Sequence, residues 1–153
     1  MQKTKVLVPS GVLGLGFDNN AFENGLKLSP DIISIDGGST DSGPFSLGTG
    51  TSKYSRSSIK SEWKTLMIGR AKLNIPLIIG SCGTCGTNNM VDWMEEITIE
   101  IATELNQKLK IAKLYCEISK KELKKKFKNK QIYQLDPPVL LNEDKIDRMT
   151  HIV

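Results

Sequence analysis

Three short apolar runs each end in a loop built almost entirely of glycine and hydroxyl residues. They are "KVLVPS" (Lys5–Ser10), "DIISID" (Asp31–Asp36) and "PLIIGS" (Pro76–Ser81). The loops that follow are "SGVLGLG", "DGGSTDSGPFSLGTGTS" and "GSCGTCGT". The runs are short, continuous and rich in β-branched residues, the signature of parallel strands covered on both faces. Helical patterns separate them, which points to β-α-β units.

The helical stretches are legible from spacing and caps. "NAFENGLKL" is a short candidate. In "SRSSIKSEWKTLMIGRAKLN", Ile59, Trp63, Leu66, Met67 and Leu73 recur at helical spacing. Serines supply N-caps there, and Pro76 forbids continuation. From Asn89 to about Lys108, the residues Val91, Met94, Ile97, Ile101 and Leu105 make an apolar stripe. "KIAKLYCEI" (Lys110–Ile118) reads as a fourth strand. "SKKELKKKFKNK" opens on a Ser-x-x-Glu capping box, Ser119 to Glu122. "QIYQLD" suggests a fifth strand, stopped by Pro137 and Pro138, and "NEDKIDRMTHIV" starts a final helix. The expected fold is therefore α/β and Rossmann-like. It has three layers, with a mostly parallel sheet of four to five strands and helices on both faces.

At 153 residues the chain suits a single α/β domain spanning 1–153. Ile152 and Val153 bring no polar stop signal, so an N-terminal fragment of a longer chain is expected. No apolar run approaches the ~20 residues that span a bilayer. "MQKTKVLVPS" lacks the apolar centre of a signal peptide. Three cysteines do not form a disulfide framework, so a cytoplasmic location is expected. Ser119 to Lys130 holds seven lysines and one glutamate, a local +6 against a chain total of +4, which leaves −2 elsewhere. This is a lysine-faced helix on a mildly acidic protein. It has no aromatic platform for single-stranded nucleic acid. Neither nucleic acid nor a membrane is an expected partner.

In a parallel α/β sheet the ligand sits beyond the carboxyl ends of the strands. The three loops share that edge. Glycines admit close approach of a ligand, and successive N–H groups form anion-binding concavities. Ser10, Gly11, Gly37, Gly38, Ser39, Thr40, Gly80, Ser81, Gly83 and Thr84 are the expected ligand-binding residues. Asp36 closes the second strand and Asp41 follows five residues later. Two neighbouring carboxylates can divide acid and base roles when their surroundings differ. These two are the expected catalytic pair, and no metal is expected. With hydroxyls beside them, carboxylates can also hold Mg²⁺; as capped turns they would do neither.

Other motifs are weaker. Cys82 and Cys85 form a C-x-x-C at a helix start, where a redox dithiol could sit. Zinc would need two further ligands, with Cys116 and His151 as the remaining candidates. Two small residues lining the loop is the plainer reading. "SGVLGLG" with Asp36 downstream suggests a dinucleotide loop, but its spacing, G-x-x-G-x-G, is reversed. No cofactor is named by this pattern. His151 reads as a surface or packed residue of the last helix. There is no G-x-S-x-G elbow for a serine nucleophile.

Taken together, "VLVPSGVLGLGF", "DIISIDGGSTDSGP" and "IPLIIGSCGTCGTNNMVDW" resemble the N-terminal part of the acyclic terpene utilisation family, the AtuA-like proteins. The segment Asp36 to Pro44 is the most specific piece. Where the family is expected to carry small residues such as alanine, this chain has Cys82 and Cys85. The resemblance implies a longer chain and a role in the breakdown of acyclic terpenes, whose acids are handled as CoA esters. The expected ligand is thus a small organic acid or a CoA ester, and homo-oligomers are compatible with it. If the chain is an enzyme, proton transfer of a lyase, hydratase or isomerase type is expected. A non-catalytic ligand-binding or complex-forming subunit is the alternative, and a nucleotide-binding or redox domain is a third.

Overall fold

The computed structural model describes residues 3–38, 43–133, 135 and 140–153. The apolar runs form a three-stranded parallel sheet in the order β1-β2-β3: β1 (Val6–Leu7), β2 (Ile32–Asp36) and β3 (Leu77–Gly80). Register pairs Leu7 with Ile33, Ile33 with Leu77, and Ile35 with Ile79. Side chains alternate across a strand, so these five residues share one face. Ile33 and Ile35 are buried there. Val6, Ile32, Ser34 and Ile78 make the opposite row, where Val6 is 53% and Ile78 51% exposed.

Helices fill the first face. α1 (Asn19–Lys27) starts at Asp18, whose side chain accepts the Ala21 N–H, and buries Phe22 and Leu26 one turn apart. α2 (Phe45–Thr49) is a single turn within the second loop. α3 (Arg56–Leu73) is capped by Ser55, which accepts the Ser58 N–H, and ends at left-handed Asn74. Its buried stripe is Ile59, Trp63, Leu66 and Met67, the spacing of one helical face. Gly69 lets α1 approach: a Cβ there would lie 2.6 Å from Phe22 Cζ. α4 (Asn88–Glu104) adds Met94, Ile97 and Ile101, and α1, α3 and α4 join Ile33 and Ile35 in one core. α5 (Lys120–Lys128) and α6 (Glu143–Arg148) pack mainly on each other. No helix among the described residues is long and apolar enough to cross a membrane.

The solvent side of α3 and α4 is clamped by charge. Lys60 Nζ lies 2.6 Å from both Glu100 and Glu104, and Lys64 Nζ lies 2.7 Å from Glu104. The hydrogen bond from Lys60, then that from Lys64, holds the Glu104 carboxyl down to about 2 from its ordinary 4.5. A carboxylate with a depressed folded-state value stabilises the fold above its unfolded value and loses that contribution as pH falls through the folded one. Wild-type protein is therefore expected to lose its stability advantage over Glu104→Gln between pH 4.5 and about 2. Thermal melts across that range check it; a gap that does not change with pH contradicts it.

The expected sheet of four to five strands, with helices on both faces, is corrected to this three-stranded sheet with six α-helices among the described residues. Lys110–Ile118 forms no strand. Its Lys113 reaches Asp92 and Glu95 of α4, at 2.9 and 2.6 Å, and Tyr115 Oη donates to Asp92 at 2.5 Å. Side chains tie the segment to α4, and its backbone stays out of the ladder. "QIYQLD" is not strand where it is described, and its Gln134 and Asp136 lie outside the described residues. Pro137 and Pro138 lie outside them too. The second face of the sheet is half open, since Val6 and Ile78 stand in solvent; coverage by helices on both faces is not seen among the described residues.

Candidate functional site at the carboxyl edge

The loops after the three strands meet and bond to one another. The Leu13 N–H donates to the Asp36 carbonyl at 2.8 Å, joining the first loop to the end of β2. The Gly37 N–H donates to the Gly80 carbonyl at 2.7 Å, and the Thr84 N–H to the Gly37 carbonyl at 3.1 Å. The Asp36 side chain accepts the Gly38 N–H at 3.0 Å, a local turn that fixes one carboxylate oxygen. Glycine is demanded at 37, because a Cβ would lie 2.7 Å from the Gly80 carbonyl oxygen and 2.8 Å from that of Ser81.

The third loop is wound left-handed at residues that rarely accept it. Ser81 has φ 47° and Thr84 has φ 74°. Such positions cost of order 1–3 kcal/mol each and cluster at ligand sites.

The structure sorts the expected residues. Ser39, Thr40 and Asp41 lie outside the described residues. Asp36, Gly37, Gly38, Gly80, Ser81, Gly83 and Thr84 share the edge with Ser10 and Gly11. Ser81, Gly80 and Gly11 are exposed, and a Cβ at Gly11 or Gly80 would meet nothing within 4 Å. Ser10 Oγ bridges its own loop, accepting the Val12 N–H at 3.3 Å and donating to the Val12 carbonyl at 3.2 Å. Thr84 is buried and its Oγ1 accepts the Lys53 N–H at 3.1 Å, so its hydroxyl is spent on packing. Gly83 lies under Met90.

Cys82 and Cys85 are free thiols. Burial pushes the Cys82 thiol up to about 11, against the low value that a reactive dithiol requires. Cys85 is buried with its Sγ 3.3 Å from Thr87 Oγ1. Among the described residues no three His, Cys, Asp or Glu side chains converge as metal ligands.

One pair escaped the sequence reading. His151 is not in a helix, because α6 ends at Arg148 and Met149 turns extended. Its Nδ1 lies 2.5 Å from Glu117 Oε1, while Glu117 Oε2 accepts the Asn88 N–H of α4 at 3.1 Å. Thr150 Oγ1 donates to the Gly48 carbonyl at 2.8 Å, and the Ile118 N–H to the Ile152 carbonyl at 2.9 Å. The C-terminal segment is thereby stitched to the second loop and to the start of α4. Nothing local marks a pair 34 residues apart.

A groove of about 600 Å³ lies elsewhere, between β3 and the segment after α4. Trp63, Met67, Ile78, Val91, Met94 and Leu114 line it. Of the expected loops it meets only Cys82.

No protein-family model matches the chain, and no curated protein and no solved structure matches it. The likeness to the AtuA-like proteins rests on the quoted motifs alone.

Proposed function

We propose that the chain is the α/β part of an AtuA-like enzyme that holds a small organic acid, or its CoA ester, at the carboxyl edge of the sheet. The observation that carries this reading is the mutual hydrogen bonding of the three glycine-rich loops there. Gly11 and Gly80 leave room for a ligand, since a Cβ at either would meet nothing within 4 Å. Asp36 is the proposed proton-transfer group, with Asp41 beside it in sequence. Asp36 ends a strand, and groups on rigid elements are held more closely than groups on loops. Ser10, Gly11, Gly38 and Ser81 frame the ligand. A cytoplasmic site of action suits three free thiols. The exposed apolar row at Val6 and Ile78 supports a covering partner, either the remainder of a longer chain or a second copy. The second reading is a non-catalytic binding subunit, favoured by the hydrogen bond that already engages the Asp36 carboxylate.

Asp36→Asn tests the assignment. Asparagine keeps an oxygen for the Gly38 N–H, so the fold is expected to survive with its melting temperature little changed. Ligand retention, measured by mass spectrometry of molecules released from the purified protein, is expected to fall about tenfold for each 1.4 kcal/mol of lost interaction. A variant that melts early and keeps binding in proportion to its folded fraction would make Asp36 a structural cap. Retained binding with lost turnover favours the enzyme over the binding subunit.

A further inference from the structure

We infer that the groove beside β3 is a docking slot for one β-strand of a partner polypeptide, apolar on its inward side and led by an acidic residue.

β3 is an edge strand, since the sheet order gives it β2 on one side only. The Ile33 N–H donates to the Pro76 carbonyl at 3.1 Å, and the Gly37 N–H to the Gly80 carbonyl at 2.7 Å. In a parallel ladder alternate residues bond to the same neighbour, so Pro76, Ile78 and Gly80 turn their backbone groups to β2. The N–H and C=O of Leu77 and Ile79 point the other way, into the groove that both residues line. Among the described residues nothing bonds to them there. An apolar edge with free donors and acceptors is a template for strand addition.

The far wall is the segment after α4, from Lys108 to Leu114. Among the described residues, 110–117 make no backbone–backbone hydrogen bond either. The segment runs in the direction of β3. Lys113 reaches Asp92 and Glu95, and Glu117 accepts the Asn88 N–H, all near the start of α4 at the carboxyl edge. Lys108 and Lys110 therefore stand toward the end where β3 begins. A strand rises about 3.3 Å per residue, lies about 4.8 Å from its neighbour and fills a layer about 10 Å thick. Four residues of it take on the order of 600 Å³, and the groove measures about 600 Å³.

The lining sets the chemistry of the occupant. Trp63, Met67 and Met94 form an apolar floor on the helix side, so inward positions of the strand are apolar. Ile78 belongs to the opposite, half-exposed row, so alternate positions meet water. Arg70, Lys108 and Lys110 also line the groove, and none of them is in an ion pair among the described residues. Arg70 Nε donates to the Ile75 carbonyl, which holds the guanidinium at the start of β3. Glu95, toward the other end, is already matched by Lys113 at 2.6 Å. The unmatched charge is positive and sits at the entry, where an acidic residue leading a strand parallel to β3 complements it. A second copy of the chain does not: its β1 and β2 are already paired, and its free segment opens on Lys108 and Lys110, cations against cations. The chain's own sheet stays three-stranded, and the added strand comes from outside it.

The probe is the peptide acetyl-Asp-Val-Thr-Val-Thr-Val-amide, titrated into nitrogen-15-labelled chain. In the chain alone the Leu77 and Ile79 amides are expected to exchange fast while those of Ile78 and Gly80 are protected. Peptide at millimolar concentration is expected to bind and to slow Leu77 and Ile79. N-methylation of the peptide backbone is expected to weaken binding about tenfold, through lost ladder bonds. Lysine in place of the leading aspartate is expected to weaken it about fivefold. The double variant Lys108→Glu, Lys110→Glu changes exposed side chains, is expected to melt near wild type, and is expected to remove that preference for aspartate. Failure to bind, binding that leaves Leu77 and Ile79 in fast exchange, or equal binding of the N-methylated peptide each overturns the proposal. Equal binding of the lysine peptide, or a preference that survives the double variant, overturns the acidic lead that defines the partner. Slow exchange of the two amides without peptide overturns it as well, because the edge is then already taken by the chain or by a second copy.

Discussion

Trp63→Ala is expected to destabilise the domain by about 3–5 kcal/mol, a large part of the roughly 5–15 that holds a domain together. Trp63 is 5% exposed and stands between α3 and α4. Its Nε1 donates to Thr98 Oγ1 at 2.9 Å, and Thr98 in turn donates to the Met94 carbonyl at 2.6 Å. Truncation removes the ring from the core, leaves the half-buried Thr98 hydroxyl without its donor, and opens the wall of the groove. Trp63→Phe separates these effects. It keeps most of the apolar fill, loses the hydrogen bond, and so is expected to cost about 1 kcal/mol from that bond plus the lost part of the ring. Urea unfolding at constant slope measures both, and Trp93 remains as a fluorescence probe. A Trp63→Ala loss under about 1 kcal/mol would mean that α3 and α4 do not share the core described.

What the sequence shows of this fold is what local physics writes into it. α3 is legible because its stripe, its Ser55 cap and the proline beyond its end are all near-neighbour signals. The three strands are legible for the same reason. The fourth is not, because a β-like composition does not say whether a strand finds a neighbour. In Lys110–Ile118 the decisive groups are Lys113 and Tyr115, which bind carboxylates of α4, while Leu114 stays 83% exposed. Continuous apolar runs point to coverage of both faces. The outward row Val6, Ile32, Ser34 and Ile78 is apolar but for Ser34, yet Val6 and Ile78 stand in solvent. Hydrophobicity records what a residue tolerates and does not say whether a layer covers it.

The site divides along the same line. Gly37 and Gly38 are visible in the sequence because their backbone surroundings admit no side chain. The identity of a glycine therefore carries tertiary information. Glu117 and His151 carry none locally. They meet only because α6 ends at Arg148 and the following segment folds back onto Gly48 and Ile118.

Gly38→Ala is the sharpest test of that edge. Gly38 has φ 137°, a backbone conformation that side chains rarely adopt, and an added Cβ would lie 2.5 Å from Thr84 Cα and 2.7 Å from Thr84 Oγ1. Thr84 has little freedom to give way. Its N–H is held by the Gly37 carbonyl, its Oγ1 by the Lys53 N–H, and it is 1% exposed. Backbone strain of order 1–3 kcal/mol and overpacking of similar size then act together, for an expected loss of about 3 kcal/mol. In a chain of this length that lowers the melting temperature by about 6–12 °C. Gly11→Ala is the matched control on the same edge. Its Cβ meets nothing within 4 Å, so its stability is expected to stay within about 0.5 kcal/mol of wild type. Hydrogen exchange locates the damage: the Thr84 and Lys53 amides are expected to lose protection in Gly38→Ala and to keep it in Gly11→Ala. Equal melting of the two variants would mean that the second and third loops do not pack against each other, and that the shared edge does not exist in solution.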